Sequence, residues 1–321
     1  MRCAFEKKMF TVALVAAAPL LVMCGPTALR AAPQRASVRS EALVESLLRL
    51  DARVPMAPDA EAARDAFSSY SKQLGRCGDP ATDAEQWVTC ALDVLLGEDG
   101  IRPTSRPALP EVHAASFAVA SRVGSCSAIV AAVLAVCEPY GAPFEAIVLR
   151  DHVVLALRGS DDHVFEPLEG GRRLSQSDLA KHGPAPPGSP IRTDGHGFLP
   201  YYLDNLAVRL AEAGDAGRAE VEFREALSMG PRVGRVRFDF GTFLLQAARY
   251  EESVRSLEKA IRLGWDDAAA WVNRGVALWK LGKTRAARRS FEHALALQPD
   301  NREAAINLKA LSERAQPTGP R

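Results

Sequence analysis

A repeat in the C-terminal part of the chain constrains the fold more than any other feature. The segments "LDNLAVRLAE", "RFDFGTFLLQ" and "WVNRGVALWK" align at a period of 34 residues. Small residues coincide at Ala219, Ser253 and Ala287 and at Ala226, Ala260 and Ala294, bulky residues at Phe223, Leu257 and Phe291, and Gly241 matches Gly275, Gly214 matches Gly282 and Pro231 matches Pro299. A unit this short cannot bury its apolar face alone, so neighbouring units must stack.

The period, the alternation of small and large residues and the closing proline resemble those of tetratricopeptide repeats. The resemblance implies an all-α solenoid over 198–315, with three repeats and the capping helix "NREAAINLKALSERA", and leaves 316–321 as a tail. Its concave face would bind a peptide or protein. The alternative is that the repeats only brace the preceding domain or self-associate. Trp271 and Trp279 fall in the pattern and are predicted to pack rather than to form a ligand platform.

The N-terminus has the pattern of a targeting segment. Arg2, Lys7 and Lys8 precede an apolar run over 9–23, which is shorter than the roughly 20 residues of a membrane-spanning helix. Residues 1–24 are therefore predicted to be a signal peptide and 25–39 a linker. The bulk of the protein is expected to be exported, to the periplasm or as a membrane-anchored protein of a bacterial cell envelope.

The sequence "LLVMCG" resembles a bacterial lipobox, which would make Cys24 the lipidated first residue of a lipoprotein. Met23 departs from the small residue that usually precedes this cysteine. Cleavage near Ala31 or Ala32 and an uncleaved anchor are the alternatives, and all three imply export.

Charge and cysteine content narrow the function classes. Lys and Arg number 40 against 39 Asp and Glu, and this balance of charge argues against a nucleic-acid binder.

The cysteines give a second set of predictions. In an oxidising compartment Cys77 and Cys90 are predicted to form a disulfide across a short loop. Cys126 and Cys137 are not expected to pair, because on one helix they lie about 16 Å apart along the axis. No paired CxxC motif of a zinc site occurs, and no cofactor is predicted.

Between the leader and the repeats, the pattern changes from helical to β-rich. Helices are predicted over 40–54, 83–96, 111–122 and 126–138, and strands in "FEAIVLR", "HVVLALR" and "HVFEPL". This order predicts an α+β domain over 40–182, with helices packed on a small antiparallel sheet. The Pro- and Gly-rich segment 183–197 is predicted to link it to the repeats.

The sequence Gly124-Ser125-Cys126 directly precedes an apolar helix. Ser125 is a good N-cap, which would place Cys126 in the first turn, where backbone N–H groups and the helix dipole favour a thiolate. Gly124 is expected to let the backbone bend tightly and to leave the sulfur accessible. Such a cysteine can be a nucleophile if a base reaches it, or it can be an inert core residue.

A histidine and a carboxylate follow in an order that suits this chemistry. His152 opens one predicted strand and Glu166 ends the next, so a Cys–His–acid triad of Cys126, His152 and Glu166 is the candidate catalytic site. Because strand residues alternate faces, His163 is expected to point away from Glu166. Asp161, Asp162 and His163 could also bind a metal, but turn acids more often only contact solvent.

These residues carry a second family resemblance. The stretch from Ser121 to Ser175 looks like the transglutaminase-like superfamily, and it is closest to the bacterial SirB-one type, in which such a core precedes tetratricopeptide repeats. Arg122, Gly124, Ser125 and Cys126 match the first motif, Gly141 and Pro143 a turn, His152 the histidine, and Glu166, Pro167, Gly170 and Gly171 the last motif. The resemblance implies a papain/transglutaminase-like fold and a cysteine protease, amidase or transglutaminase.

Two positions depart from this pattern. Asp151 precedes the histidine where glycine is common, and Glu166 replaces an aspartate, so its contact with His152 is expected to be imperfect. Many proteins of this type lack the cysteine. A non-catalytic cell-envelope scaffold that binds partners through its repeats is therefore the alternative to an enzyme, and redox sensing by Cys126 is a third hypothesis that would need a nearby resolving cysteine.

Overall fold

The computed structural model describes residues 42–54, 56–104, 109–141, 144–150, 152–181 and 191–315. The predicted signal peptide at 1–24 with Cys24, the linker at 25–39, the tail at 316–321, Pro143 and Asp151 lie outside these residues.

Five α-helices form the first part of the fold: α1 (Leu43–Asp51), α2 (Ala60–Leu74), α3 (Ala84–Leu96), α4 (Ala115–Ser121) and α5 (Cys126–Cys137). Asp59 and Asp83 accept hydrogen bonds from backbone N–H groups in the first turns of α2 and α3, and so satisfy donors that a helix leaves open. The single helix predicted over 111–122 is wrong. A 3₁₀ turn over Pro110–His113 precedes α4, because Ala114 between them has extended backbone angles of φ −85° and ψ 131°.

The sheet lies next in the chain. A short parallel pair, β1 (Arg102–Pro103) and β2 (Val123–Gly124), precedes a five-stranded antiparallel sheet of order β6-β5-β4-β3-β7. Its strands are β3 (Phe144–Val148), β4 (Val153–Leu157), β5 (Val164–Glu166), β6 (Arg172–Arg173) and β7 (Ile191–Thr193). The predicted strands are confirmed, and the predicted linker over 183–197 is partly wrong because it supplies β7. Ile191 and Thr193 are β-branched and favour the extended edge strand beside β3.

Helix α5 is the centre of the core. Every residue from Ser127 to Cys137 is buried, and the sheet residues that pack in the same cluster include Ala146, Val148 and Leu155. Ile147 and Val154 point to the opposite face, where they form a smaller cluster with Leu174 next to α6 (Gln176–Ala180). The alternation follows from the two-residue period of a strand. The thiol-bearing helix is therefore fixed on all sides.

Seven helices complete the fold: α7 (Gly195–Glu212), α8 (Ala216–Met229), α9 (Gly234–Gln246), α10 (Tyr250–Arg262), α11 (Ala268–Lys280), α12 (Thr284–Leu297) and α13 (Arg302–Ala315). All nine small and bulky positions of the 34-residue period are buried. A Cβ added at Gly241 would lie 2.7 Å from Cγ of Leu257, so glycine is required for the close approach of α9 and α10. The predicted helical repeats are confirmed.

The first repeat helices share their core with the α+β part, whereas α11, α12 and α13 form separate smaller clusters. One hydrophobic cluster runs from Leu43 on α1 to Leu244 on α9 and includes Leu203 on α7. Polar contacts cross the same boundary, since Arg53 after α1 pairs with Glu222 on α8 at 3.3 Å. The first repeats and the α+β part thus fold around a shared interior.

Candidate functional site

Cys126 lies at the start of α5, as the sequence predicts. The hydroxyl of Ser125 accepts a hydrogen bond from the N–H of Ala128 at 3.4 Å, which makes Ser125 the N-cap. The N–H of Ser125 donates to the carbonyl of Val112 at 2.8 Å and ties this cap to the 3₁₀ turn before α4. Cys126 itself is half-buried, whereas its neighbours in the helix are buried, so its side chain lies at the edge of the core.

Gly124 is needed for close packing rather than for a left-handed turn. A Cβ at this position would lie 2.9 Å from Cβ of Ala118 and 3.3 Å from Cγ1 of Ile129. Its φ is outside the left-handed region. The expectation of a tight glycine bend is therefore wrong, and the physical reason for glycine is the contact between β2 and α4.

His152 and Glu166 are in direct contact. Nε2 of His152 lies 2.8 Å from Oε2 and 3.0 Å from Oε1 of Glu166, and both side chains are buried. The expected imperfection of this contact is wrong, because Glu166 ends β5 beside β4 and its longer side chain reaches the ring with both oxygens. A carboxylate only accepts hydrogen bonds, so Nε2 carries the hydrogen and Nδ1 is the basic nitrogen of the ring.

The turn after β5 fixes the Glu166 carboxylate. The N–H of Leu168 donates to Oε1 at 3.0 Å, and the N–H of Gly171 donates to the Glu166 carbonyl at 3.0 Å. Gly170 and Gly171 have φ of 64° and 76°, which glycine adopts without steric cost. The Glu-Pro-x-x-Gly-Gly motif is thus a short turn that orients a buried carboxylate.

His163 takes no part in this contact. Its Nε2 lies 2.8 Å from Oε1 of Glu85, and its Nδ1 lies 2.9 Å from the hydroxyl of Ser160. Asp161 pairs with Arg192 at 2.9 Å. Within the described ranges, no group of three or more His, Cys, Asp or Glu side chains could hold a metal ion.

Arg235 on α9 is a residue of this region that the sequence analysis missed. It is 6% exposed, and its Nη1 donates to the carbonyl of Leu149 in the turn between β3 and β4. Burial lowers the pKa of Arg235, but nearby negative groups, Asp204 and Asp239 first and then Cys126, outweigh burial and raise it. The same guanidinium therefore bonds the turn that leads into His152 and interacts electrostatically with Cys126.

A second missed residue is His113, which is buried one position after the Val112 carbonyl that holds Ser125. Its place in a proline-initiated turn before α4 gave no sequence signal. Arg235 and Asp239, four residues apart on α9, did give one, because opposite charges at this spacing share a helix face. The spacing does not indicate which distant residues they would meet.

The remaining cysteines have structural places. Cys77 and Cys90 form a disulfide between the 3₁₀ turn over Gly75–Cys77 and α3. Cys137 is buried at the end of α5, and burial raises the pKa of its thiol.

Trp271 packs within the repeats, as predicted. The centroid of its indole lies 4.1 Å from that of the His293 ring, and its Nε1 donates a hydrogen bond to Asp266 at 2.6 Å. Among the helices described, none combines the length and hydropathy that crossing a membrane requires.

The comparisons with known proteins concern the repeats. Residues 268–301, which contain α11 and α12, match the tetratricopeptide repeat family. The tetratricopeptide repeat-containing protein trd-1 of Caenorhabditis elegans is 30% identical over 98 residues, which is 30% of this chain and 13% of trd-1. This segment spans far less than two thirds of that relative.

Two solved structures illustrate the structural neighbours. The first tetratricopeptide domain of human RPAP3 has 19% identity and a TM-score of 0.35, covering 36% of this chain and 91% of its own. YrrB, a tetratricopeptide-repeat protein with an unusual peptide-binding site, has 14% identity and a TM-score of 0.34, covering 84% and 98%. The family match shows a tetratricopeptide repeat at 268–301, and the described helices α7 to α13 form an all-α solenoid. None of these matches concerns a transglutaminase-like core.

Proposed function

We propose that this protein is an exported cysteine acyl-transfer enzyme with a papain/transglutaminase-like core, and that its repeats bind a peptide or protein. Cys126 is the nucleophile, His152 the general base and acid, and Glu166 the residue that orients His152. The core spans about 40–182 and the repeats about 198–315. The acceptor is water, as in a protease or amidase, or an amine, as in a transglutaminase.

The buried contact between His152 and Glu166 carries this proposal. A histidine and a glutamate that are both only 6% exposed, with Nε2 and Oε2 2.8 Å apart, form an arrangement that stabilises an imidazolium and fixes one tautomer. Burying such a pair costs solvation energy that a structural role does not require. The capped helix start at Cys126 adds a position where a thiolate is favoured.

The proposed roles define the reaction. Nδ1 of His152 takes the thiol proton, and the Cys126 sulfur attacks an amide carbonyl to give a tetrahedral oxyanion near the N–H groups of the first turn of α5. When the C–N bond breaks, His152 returns its proton to the leaving amine and a thioester remains. Water or an acceptor amine then attacks the thioester, loses a proton to His152 and releases the thiol. Glu166 stabilises the imidazolium in both steps.

The repeats supply the binding part of the proposal. Tetratricopeptide repeats stack helix pairs into a curved surface that holds peptides or partner domains. Because the first repeats share a core with the α+β part, a bound partner would be held at a fixed position relative to Cys126. This arrangement suits the presentation of a protein substrate.

Export is proposed from the leader pattern. The disulfide between Cys77 and Cys90 supports an oxidising compartment, since cytosolic proteins seldom keep such bonds. Lipidation at Cys24 would anchor the protein to a membrane. Labelling of growing cells with an alkyne fatty acid tests the anchor, which is supported if label is incorporated and then lost in Cys24→Ala.

Thiol alkylation tests the catalytic proposal. The full chain is treated with iodoacetamide between pH 5 and 9, and the rate at Cys126 is read from its peptide by mass spectrometry. We expect alkylation at pH 6 about tenfold or more faster than that of an unperturbed thiol, whose pKa is about 8.5. His152→Ala should abolish this advantage, whereas His163→Ala should keep it because His163 contacts Glu85 instead.

The same experiment distinguishes the enzyme from the alternative function. A non-catalytic scaffold, which the tetratricopeptide match favours, predicts that Cys126 reacts no faster than an ordinary cysteine and that His152→Ala changes nothing. Its partner binding would survive Cys126→Ala. That combination of results would refute the enzyme.

A further inference from the structure

We propose that Arg235, on the second helix pair of the repeats, is a positioning residue of the candidate site: it bonds the turn before His152, and its positive charge acts on Cys126. This inference rests on the proposed function. It makes the repeats a structural part of the catalytic unit rather than an attached binding module.

Arg235 is held rigidly by the repeat helices. Its Nη2 donates to Oδ1 of Asn205 at 3.1 Å, and its Nε lies 3.2 Å from Oδ2 of Asp204, both on α7. Asp239, one turn further along α9, lies 3.6 Å from the same Nε. The guanidinium is 6% exposed, so its direction is set by protein contacts and not by solvent.

The guanidinium reaches the base through two hydrogen bonds. Nη1 of Arg235 donates to the Leu149 carbonyl at 3.5 Å, and the N–H of Leu149 donates to the His152 carbonyl at 2.9 Å. Arg235 therefore holds the backbone of the turn from which the His152 ring projects. A displacement of this turn would move Nδ1 relative to the sulfur, and catalysis is sensitive to such misplacement.

The repeats hold the same turn at a second point. Arg150 lies over the ring of Trp265, with its Cζ 6.0 Å from the ring centroid, and pairs with Asp267 at 3.3 Å. Trp265 and Asp267 belong to the connection between α10 and α11. Two repeats thus contact this turn, one through Arg235 and the other through Arg150.

The charges around Arg235 leave its positive charge available to the thiolate. Burial and the neighbouring Asp239 raise the pKa of Asp204 well above its usual range, which weakens its charge as a competitor for the guanidinium. Burial also raises the pKa of Asp239, and Asp267 acts in the same direction. The phenol of Tyr201 faces the guanidinium and keeps its proton, because burial raises its pKa to about 12. Cys126 acts electrostatically on Arg235 in the direction of a negative neighbour.

The test compares the pH profile of Cys126 alkylation in four full-length proteins: wild type, Arg235→Lys, Arg235→Gln with Asp239→Asn, and Arg150→Gln. The double substitution removes the arginine without leaving two buried acids unpaired, which would destabilise the fold. Circular dichroism verifies that each protein is folded, and Arg235→Lys keeps the charge if the double variant does not fold.

We expect the double variant to shift the midpoint of the profile upward and to lower the rate at pH 6 about tenfold. Arg235→Lys should keep the midpoint near that of the wild type but lower the rate, because lysine cannot bond Leu149 and Asn205 together. Arg150→Gln should lower the rate with no shift of the midpoint.

The outcomes separate the two proposals. If wild-type Cys126 reacts fast and depends on His152, but folded Arg235 variants keep the wild-type profile, the role of Arg235 is refuted and the proposed function stands. If wild-type Cys126 reacts as an ordinary thiol, the proposed function fails and the role of Arg235 fails with it.

Discussion

The phenol of Tyr202 on α7 donates a hydrogen bond to the carboxylate of Asp51 on α1 and so joins a repeat helix to the α+β part. The other oxygen of Asp51 accepts from the N–H of Ser116 at 2.8 Å, and the Tyr202 oxygen accepts from the N–H of Ala115 at 2.8 Å. These hydrogen bonds join α1, α4 and α7 in the interior, where Asp51 and Tyr202 are both buried. A buried acid at this junction makes the stability of the whole fold depend on pH.

Burial raises the pKa of Asp51 from 3.8 to about 6 despite the hydrogen bonds that it accepts. Between these values the folded state binds more protons than the unfolded state, so the free energy of unfolding falls as pH rises from about 4 to about 7. A shift of this size corresponds to about 3 kcal/mol. In Asp51→Asn, which cannot ionise, we expect the contribution of Asp51 to this slope to disappear in urea unfolding measured across the range.

Asp65→Asn is the matched control, because Asp65 is exposed on α2 and its substitution should leave the slope intact. Part of the slope should persist in Asp51→Asn, since burial also raises the pKa of Glu222 to about 7. A variant with the full wild-type slope would show that Asp51 is not the titrating group.

Glu166 provides a prediction about reactivity. Glu166→Gln replaces the carboxylate with an amide that cannot stabilise an imidazolium and can favour the wrong tautomer of His152. Hydrogen bonds to charged groups are worth about 1.5–3 kcal/mol, so the alkylation rate of Cys126 at pH 6 should fall about 10- to 100-fold. Glu169→Gln, at an exposed position of the same turn, is the control and should react like the wild type.

Glu166→Asp tests the length of the side chain. Aspartate is one methylene shorter, so its carboxylate would lie farther from the His152 ring, whose Nε2 is 2.8 Å from Oε2 of Glu166. It would also lose the hydrogen bond from the Leu168 N–H. We expect a rate between those of Glu166→Gln and the wild type. A faster rate would mean that glutamate is the less favourable acid here.

Patterns of neighbouring residues in the sequence predicted the elements that short-range interactions determine, such as helix starts and repeated helix pairs. The period that aligns Ala219, Ser253 and Ala287 predicted the stacked helices, because small residues are needed wherever two helices approach closely. Ser125 predicted the start of α5, since a serine hydroxyl can replace the missing acceptor of a first turn. The order of a strand opened by His152 and a neighbouring strand ended by Glu166 likewise predicted their contact.

Features that depend on distant residues could not be predicted. β7 forms because Ile191 and Thr193 pair with the edge of β3, which is distant in sequence, although the prolines in 183–197 indicate a linker. Arg235 meets Leu149 across 86 positions of sequence, and no spacing in either segment indicates the other. The contact of Arg235 with the turn before His152 depends on the core that the first repeats share with the α+β part, and the sequence does not show that the two parts share a core.

Ala248 has a backbone conformation that its equivalents in the other repeats reach with glycine. Its φ is 57°, and Gly214 and Gly282, 34 residues before and after it, have φ of 86° and 73°. The left-handed region costs a residue with a Cβ about 1–2 kcal/mol. We expect Ala248→Gly to raise the free energy of unfolding by about 1 kcal/mol, part of the gain being offset by the flexibility of glycine in the unfolded chain.

Gly214→Ala and Gly282→Ala are the reciprocal variants. No atom lies within 4 Å of a Cβ added at either position, so their expected loss of about 1 kcal/mol comes from the backbone alone. Thermal unfolding of the three proteins is the measurement. If Ala248→Gly were less stable than the wild type, flexibility would outweigh strain at this turn.

The disulfide between Cys77 and Cys90 closes a loop with a sequence separation of 13 and attaches the end of α2 to α3. A loop of this length stabilises the fold by about 3 kcal/mol, mainly by restricting the unfolded chain. We expect Cys77→Ala with Cys90→Ala to lower the free energy of unfolding in urea by about this amount. Dithiothreitol should lower the wild type to the same value and leave the double variant unchanged. Equal stability of the oxidised wild type and the double variant would show that this bond is not formed in the isolated protein.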